Sequence, residues 1–145
     1  MKKILFLCHG NICRSPMAEF IFNFLASEKG LQDKVQAKSA AVTEDDIGSD
    51  MYPSSKAKLT EKGIPFTHHS ARLFTRDEYA RWDRIAVMDS DNLVLAKRIA
   101  GKDPEGKISL LLPTAIEDPW YTRDFETAYN DIRKGCEALL ESLNL

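Results

Sequence analysis

The stretch Cys8-His9-Gly10-Asn11-Ile12-Cys13-Arg14-Ser15 combines a nucleophile, a cation and a run of backbone donors in one short segment. Successive N–H groups of a tight loop form a concave anion nest. A helix starting directly after the loop adds unpaired N–H groups and the positive end of its dipole. Arg14 offers a planar fork that matches two phosphate oxygens. Gly10 lets the backbone approach closely, and Asn11 belongs to the few residue types that tolerate a left-handed backbone. Donors that hold an oxyanion also stabilise a thiolate. His9, Gly10, Asn11, Ile12, Cys13, Arg14 and Ser15 are therefore expected to cradle a tetrahedral oxyanion. Cys8 then attacks it to form a covalent intermediate, and Ser15 is spaced to hydrogen-bond the sulfur when it leaves.

Such a reaction needs an acid that protonates the departing oxygen and later activates water. Asp118, in Glu117-Asp118-Pro119-Trp120-Tyr121, is the candidate. Pro119 restricts the backbone of Asp118 to extended conformations and so limits where its carboxyl points. Trp120 and Tyr121 are expected to wall in an aromatic substrate.

The elements that must position these groups alternate. Lys3–Leu7 is a short apolar run that reads as a strand buried on both faces. Ser15 and Pro16 predict a helix start, with Ser15 as N-cap and Pro16 at the first helical position. Met17, Phe20, Ile21, Phe24 and Leu25 recur at helical spacing, and Gly30 closes that helix. Residues 35–39 predict a second strand and 43–55 a loop. A short helix is expected over 55–62, and Thr75-Arg76-Asp77-Glu78 has capping-box spacing. Strands over 84–88 and 108–112 flank a helix from about Ser90 to Ala100. From Asp124 onward Phe125, Ala128, Tyr129, Ile132, Cys136, Leu139, Leu140 and Leu143 trace one helical stripe. This order predicts an α/β fold, a four-stranded parallel sheet covered on both faces. Ligands then bind beyond the carboxyl ends of the strands, where Cys8 and Asp118 both fall.

The chain has 145 residues, enough for one ordinary domain spanning 1–145 and too few for two well-cored ones. With 29% charged and 43% hydrophobic residues it reads as globular rather than disordered. A formal charge of -2 disfavours a nucleic-acid partner. Three cysteines are too few for a disulfide framework. The apolar run at the N-terminus is shorter than the ~7–15 residues of a signal-peptide core, and no run approaches the ~18 of a membrane span. These features predict a cytoplasmic protein with reduced thiols and no membrane partner.

Cys8-His9-Gly10-Asn11-Ile12-Cys13-Arg14-Ser15-Pro16 resembles the signature of the low-molecular-weight protein tyrosine phosphatases. Asp118-Pro119-Trp120-Tyr121 resembles the general-acid loop of that family. Ser39-Ala40-Ala41, His69-Ser70-Ala71-Arg72 and Met88-Asp89 with Asn92 agree as well, so the likeness covers essentially the whole chain. The resemblance implies a three-layer α/β/α fold of the phosphotyrosine protein phosphatase I type. It implies Cys8 as nucleophile, Arg14 as phosphate clamp and Asp118 as general acid, then base. Asn11 would be held by a network of Ser15, Ser39 and His69. Cys13 would form a reversible disulfide with Cys8 under oxidation. The implied substrate is a tyrosine-phosphorylated protein, with inorganic phosphate as product and a tyrosine kinase as candidate partner. No metal or cofactor is implied, and the enzyme is expected to be a monomer. One position departs: by spacing, Asp45 stands where many relatives carry an aromatic wall. That acidic loop, Glu44 to Asp46, would repel acidic phosphopeptides.

Other readings compete. Cys136 lies on the apolar stripe and reads as a packing residue. Asp89 reads as a helix N-cap, and His69 as a structural hydrogen-bonder rather than a proton carrier. A zinc site from Cys8, Cys13, His68 and His69 would leave Arg14 unexplained beside the metal. A Walker-type nucleotide loop and a Cys-x-x-Cys redox site are absent. An arsenate reductase of the same fold would need two further relay cysteines, and only Cys136 remains. A protein-arginine phosphatase tends to carry Thr where this chain has Ile12. A non-catalytic phosphoprotein-binding module would bind without releasing phosphate.

Overall fold

Four consecutive apolar residues, Ile4 to Leu7, make a strand that must be covered on both faces. The computed structural model describes all residues 1–145 and shows how that is done. Strands β1 (Lys2–Cys8), β2 (Val35–Ala41), β3 (Arg84–Val87) and β4 (Ile108–Leu110) form one parallel sheet in the order β2-β1-β3-β4. Helices α1 (Arg14–Glu28), α2 (Pro53–Glu61), α3 (Ser90–Ile99), α4 (Pro119–Thr122) and α5 (Phe125–Ser142) connect and cover it, with a 3₁₀ turn at Arg76–Arg81. The expected fold class is therefore observed. No helix is long and apolar enough to cross a membrane.

Side-chain alternation along β1 divides the core. Ile4, Phe6 and Cys8 face one layer with Met17, Ile21 and Phe22 of α1 and Ile132 and Cys136 of α5. Leu5 and Leu7 face the other layer with Val87, Ala96 and Ile108. The parity of β1 thus aims the Cys8 sulfur at the start of α1. The chain runs from β1 out to β2, then returns past β1 to β3, so the order reverses beside the carboxyl end of β1. That crevice is where open α/β sheets take ligands.

The helix and strand ends differ in detail. Helix α1 starts at Arg14, with Cys13 rather than Ser15 in the N-cap position and no side-chain cap. Pro16 sits in the first turn, where its N–H would lack an intrahelical partner anyway. The helix after Asp118 was not expected: Pro119 starts a single turn that Asp118 caps by accepting from Trp120 N at 3.0 Å. The capping box at Thr75 is present, but it opens a 3₁₀ turn and not an α-helix. Strand β4 ends two residues early, at Leu110. Gly30 carries φ 69°, as a helix-closing glycine should.

Candidate active site

Strand β1 ends at Cys8 and α1 begins at Arg14, so the intervening residues must reverse the chain within one loop. Asn11 makes the reversal with φ 60°. Its fully buried side chain offsets the cost of that conformation. Nδ2 donates to Ser15 Oγ at 2.7 Å, and Oδ1 accepts from Arg72 N at 3.2 Å. The Asn11 carbonyl lies 2.7 Å from His69 Nε2. His69 is anchored in turn by its own N–H, which donates to Asp50 Oδ1 at 3.0 Å. Lys56 holds that Asp50 carboxyl well below the usual carboxylate range, against the opposing effect of burial. Asn11→Ala strands the Arg72 N–H and leaves alanine in a left-handed backbone. It should lower stability by about 2–4 kcal/mol, read by urea denaturation.

Ser15 is used for the sulfur instead of the helix cap. Its hydroxyl lies 3.0 Å from Cys8 Sγ, and its N–H donates to the same sulfur at 3.4 Å. Ser39 corrects an expectation. Its hydroxyl donates to Glu19 Oε1 at 2.7 Å and makes no bond to Asn11. In register opposite Phe6, Ser39 faces the underside of α1, where Glu19 projects, two residues short of the strand end.

Arg14 is 2% exposed. One terminal nitrogen donates to Asp89 Oδ2 at 2.8 Å and to the Ile116 carbonyl at 2.7 Å. The other lies 3.5 Å from Asp118 Oδ2. Nε is buried with no protein partner. Burial disfavours the charge, but Cys8, Asp89 and Asp118 outweigh it and raise the Arg14 pKa. Asp89 caps α3 by accepting from Asn92 N at 2.8 Å, as read from the sequence. That it also holds Arg14 was not read from the sequence.

These groups surround a cavity of about 230 Å³. Its floor is Cys8, His9, Gly10, Ile12, Cys13 and Arg14, one wall is Asp118, Trp120 and Tyr121, and the other is Asp45 with Asp46. Asn11, Ser15 and His69 stand behind the floor. Asp46 was missed, although the loop that carries it was recognised as acidic. Tyr52 was missed too: it stacks edge-on against Trp120 at 5.1 Å and receives a hydrogen bond from Arg123. All three cysteines are free thiols. Burial, opposed by the Ser55 hydroxyl, pushes the Cys13 thiol up to about 12. Cys136 is fully buried in α5, away from this cavity, in the packing role expected of it. No set of three or more His, Cys, Asp and Glu side chains converges as a metal site. His68 faces Asp50, and His69 faces the Asn11 carbonyl.

A sequence model described as low molecular weight phosphotyrosine protein phosphatase matches residues 3–145. The chain belongs to this family. The low-molecular-weight protein-tyrosine-phosphatase YfkJ of Bacillus subtilis is 37% identical over 99% of this chain and 96% of its own length. Its crystal structure superposes with a TM-score of 0.95, covering 99% of this chain and 95% of that one. The human low molecular weight phosphotyrosine protein phosphatase is 36% identical over 97% of this chain and 94% of its own. The structure of a Drosophila arginine phosphatase is also similar, at 29% identity and TM-score 0.89, over 100% of this chain and 99% of that one. As a member of this family the chain is a protein-tyrosine phosphatase, a phosphoric monoester hydrolase that acts on phosphoproteins.

The segment behind the floor of this phosphatase depends on Glu78. Arg72, whose N–H holds Asn11, forks onto Glu78 through two bonds of 2.9 Å. Thr75 N and Trp82 Nε1 donate to the same carboxylate at 3.0 and 3.1 Å. Burial opposes ionisation, but these donors and the Arg72 charge prevail and hold the carboxyl below its ordinary range. A depressed folded value stabilises the fold above the unfolded value and loses that stabilisation as pH falls through the folded one. Glu78→Gln should cost about 1–3 kcal/mol at neutral pH. It should also flatten the fall in Tm between about pH 5 and pH 3, as followed by circular dichroism.

Proposed function

We propose that this phosphatase hydrolyses phosphotyrosine in proteins through a Cys8–phosphate intermediate, with Arg14 as clamp and Asp118 as general acid and then base. The observation that carries the proposal is Arg14. A guanidinium 2% exposed, with one N–H lacking any protein partner, lies on the cavity floor beside a cysteine at a strand end. A buried cation with a spare donor favours an anionic ligand, and its planar fork fits phosphate oxygens. The Cys8 sulfur attacks phosphorus while Asp118 protonates the departing tyrosine oxygen. Water, deprotonated by Asp118, then attacks the phosphorus and displaces sulfur. The Ser15 hydroxyl, 3.0 Å from Sγ, stabilises the thiolate as it leaves. Inorganic phosphate is the second product.

Trp120 and Tyr121 supply the wall against which a phenyl ring packs, and Ile12 adds an apolar contact. The site residues need no metal for these steps. The purified protein is expected to hydrolyse an aryl phosphate at an undiminished rate in excess chelator, followed by release of the phenol. A rate that collapses with chelator and returns with a divalent cation would refute the mechanism. Side-by-side turnover of phosphotyrosine and phosphoarginine separates this reading from an arginine phosphatase, which favours the second substrate. Thiol-coupled arsenate reduction lacks its relay here, because Cys136 is buried under α1 with its thiol 3.7 Å from the Ala18 carbonyl. Binding without phosphate release would instead mark a phosphoprotein-binding module. In this proposal the chain works as a cytoplasmic monomer, a single domain over residues 1–145. Its partners are tyrosine-phosphorylated proteins, among them a tyrosine kinase, and neither nucleic acid nor membrane.

A further inference from the structure

We propose, resting on the phosphotyrosine reading above, that Asp45 and Asp46 select substrates carrying Lys or Arg beside the phosphotyrosine. The loop that follows β2 is stapled to the phosphate-binding loop. Val42 N donates to the Cys8 carbonyl at 3.0 Å. Thr43 N and Oγ1 donate to the His9 carbonyl at 3.2 and 3.0 Å, and Asp45 N donates to Thr43 Oγ1 at 3.4 Å. The acidic residues are therefore fixed at the mouth of the cavity and not free to swing with a long loop.

Their placement is specific. Asp45 Oδ2 lies 2.6 Å from His9 Nε2, across the rim. The Asp46 carboxylate rests on Gly10, where an added Cβ would collide with Oδ2. Asp46 makes no ion pair, and its side chain makes no hydrogen bond. An unpaired carboxylate thus lies against a floor whose buried Arg14 Nε has no protein partner. A phosphate dianion bound to that floor is repelled by both carboxylates. A cation arriving with the phosphate removes the repulsion. The opposite wall cannot serve such a cation, because Arg123 already stands there, 5.3 Å from the centre of the Trp120 ring. A substrate with a basic residue beside the phosphotyrosine matches both sides, with its ring on Trp120 and Tyr121 and its cation on the β2 loop. An acidic neighbour on the side of the β2 loop is repelled by Asp45 and Asp46.

The test compares two phosphotyrosine peptides that differ only in Lys or Glu on either side of the phosphorylated residue. The wild-type protein should favour the Lys peptide about tenfold in kcat/KM at low salt. The preference should fall to about twofold near 1 M salt, where the screening length is about 3 Å. In Asp45→Asn/Asp46→Asn the low-salt ratio should drop to about two. The ratio is internal to each protein, so a lower fraction of folded variant does not affect it, and the salt series needs no variant at all. A wild-type ratio near one, or an unchanged ratio in the double variant, overturns the proposal. Aryl phosphate turnover by the same wild-type preparation tells which idea has failed. With turnover intact, only the charge selection falls. With no turnover, the phosphatase reading falls with it.

Discussion

Cys8→Ser is expected to lower turnover of an aryl phosphate by about 10⁴–10⁶-fold. Cys8 stands at the end of β1 on the cavity floor, and burial disfavours the one other thiol there, Cys13, whose pKa is pushed up to about 12. Serine fits the space and keeps a partner, because the Ser15 hydroxyl already lies 3.0 Å from the Cys8 sulfur. The cradle should therefore survive. Inorganic phosphate should bind the variant as it binds the wild type, measured by titration calorimetry, while the burst of phenol disappears. Undiminished turnover would remove Cys8 from the mechanism. A joint loss of turnover and phosphate binding would make Cys8 structural.

Asp118→Ala should lower kcat by about 10²–10⁴-fold on phosphotyrosine, and by less on an aryl phosphate with a better leaving group. A poorly basic leaving group needs little help from an acid, so the gap between the two substrates reports proton transfer. The geometry adds a second expectation. Asp118 Oδ2 lies 3.5 Å from an Arg14 nitrogen, so the carboxylate competes with phosphate for that cation. Its removal should leave phosphate inhibition unchanged or stronger. A large loss of phosphate affinity would instead mean that Asp118 holds Arg14 in place. Asp89 and the Ile116 carbonyl already hold Arg14, at 2.8 and 2.7 Å, so that outcome is not expected.

Much of the site was legible because its parts are neighbours in sequence. Residues 8–15 carry their own geometry: a strand end, an Asn in a left-handed turn and a helix start leave little freedom for the loop between them. Asp118 was legible for a similar reason, since Pro119 confines its backbone and the observed φ −76°, ψ 112° is extended as expected. The misplaced residues were those whose roles depend on which face they occupy. Ser15 was expected both as a cap, from its place before Pro16, and as a partner of the sulfur; the helix begins two residues earlier than that cap requires, and only the contact with the sulfur is made. Ser39 was assigned to Asn11 by resemblance, but the register with β1 points it at Glu19. The backbone N–H of Arg72 supplies the Asn11 contact by a route that no side-chain pattern reveals.

By its own residues the sequence determined the fold class and singled out the candidates for nucleophile, clamp and acid, because each rests on short-range sterics and on residue chemistry. The tertiary structure decided what those groups meet. The strand order β2-β1-β3-β4 sets the ends of β1 and β3 side by side, which brings Asp89 onto Arg14 across 75 positions of chain. The same order sets the β2 loop over Gly10 and so makes the rim acidic on one side. Contacts of that kind depend on the packing of whole elements, which many distant residues settle together. No local pattern of types and spacings encodes them.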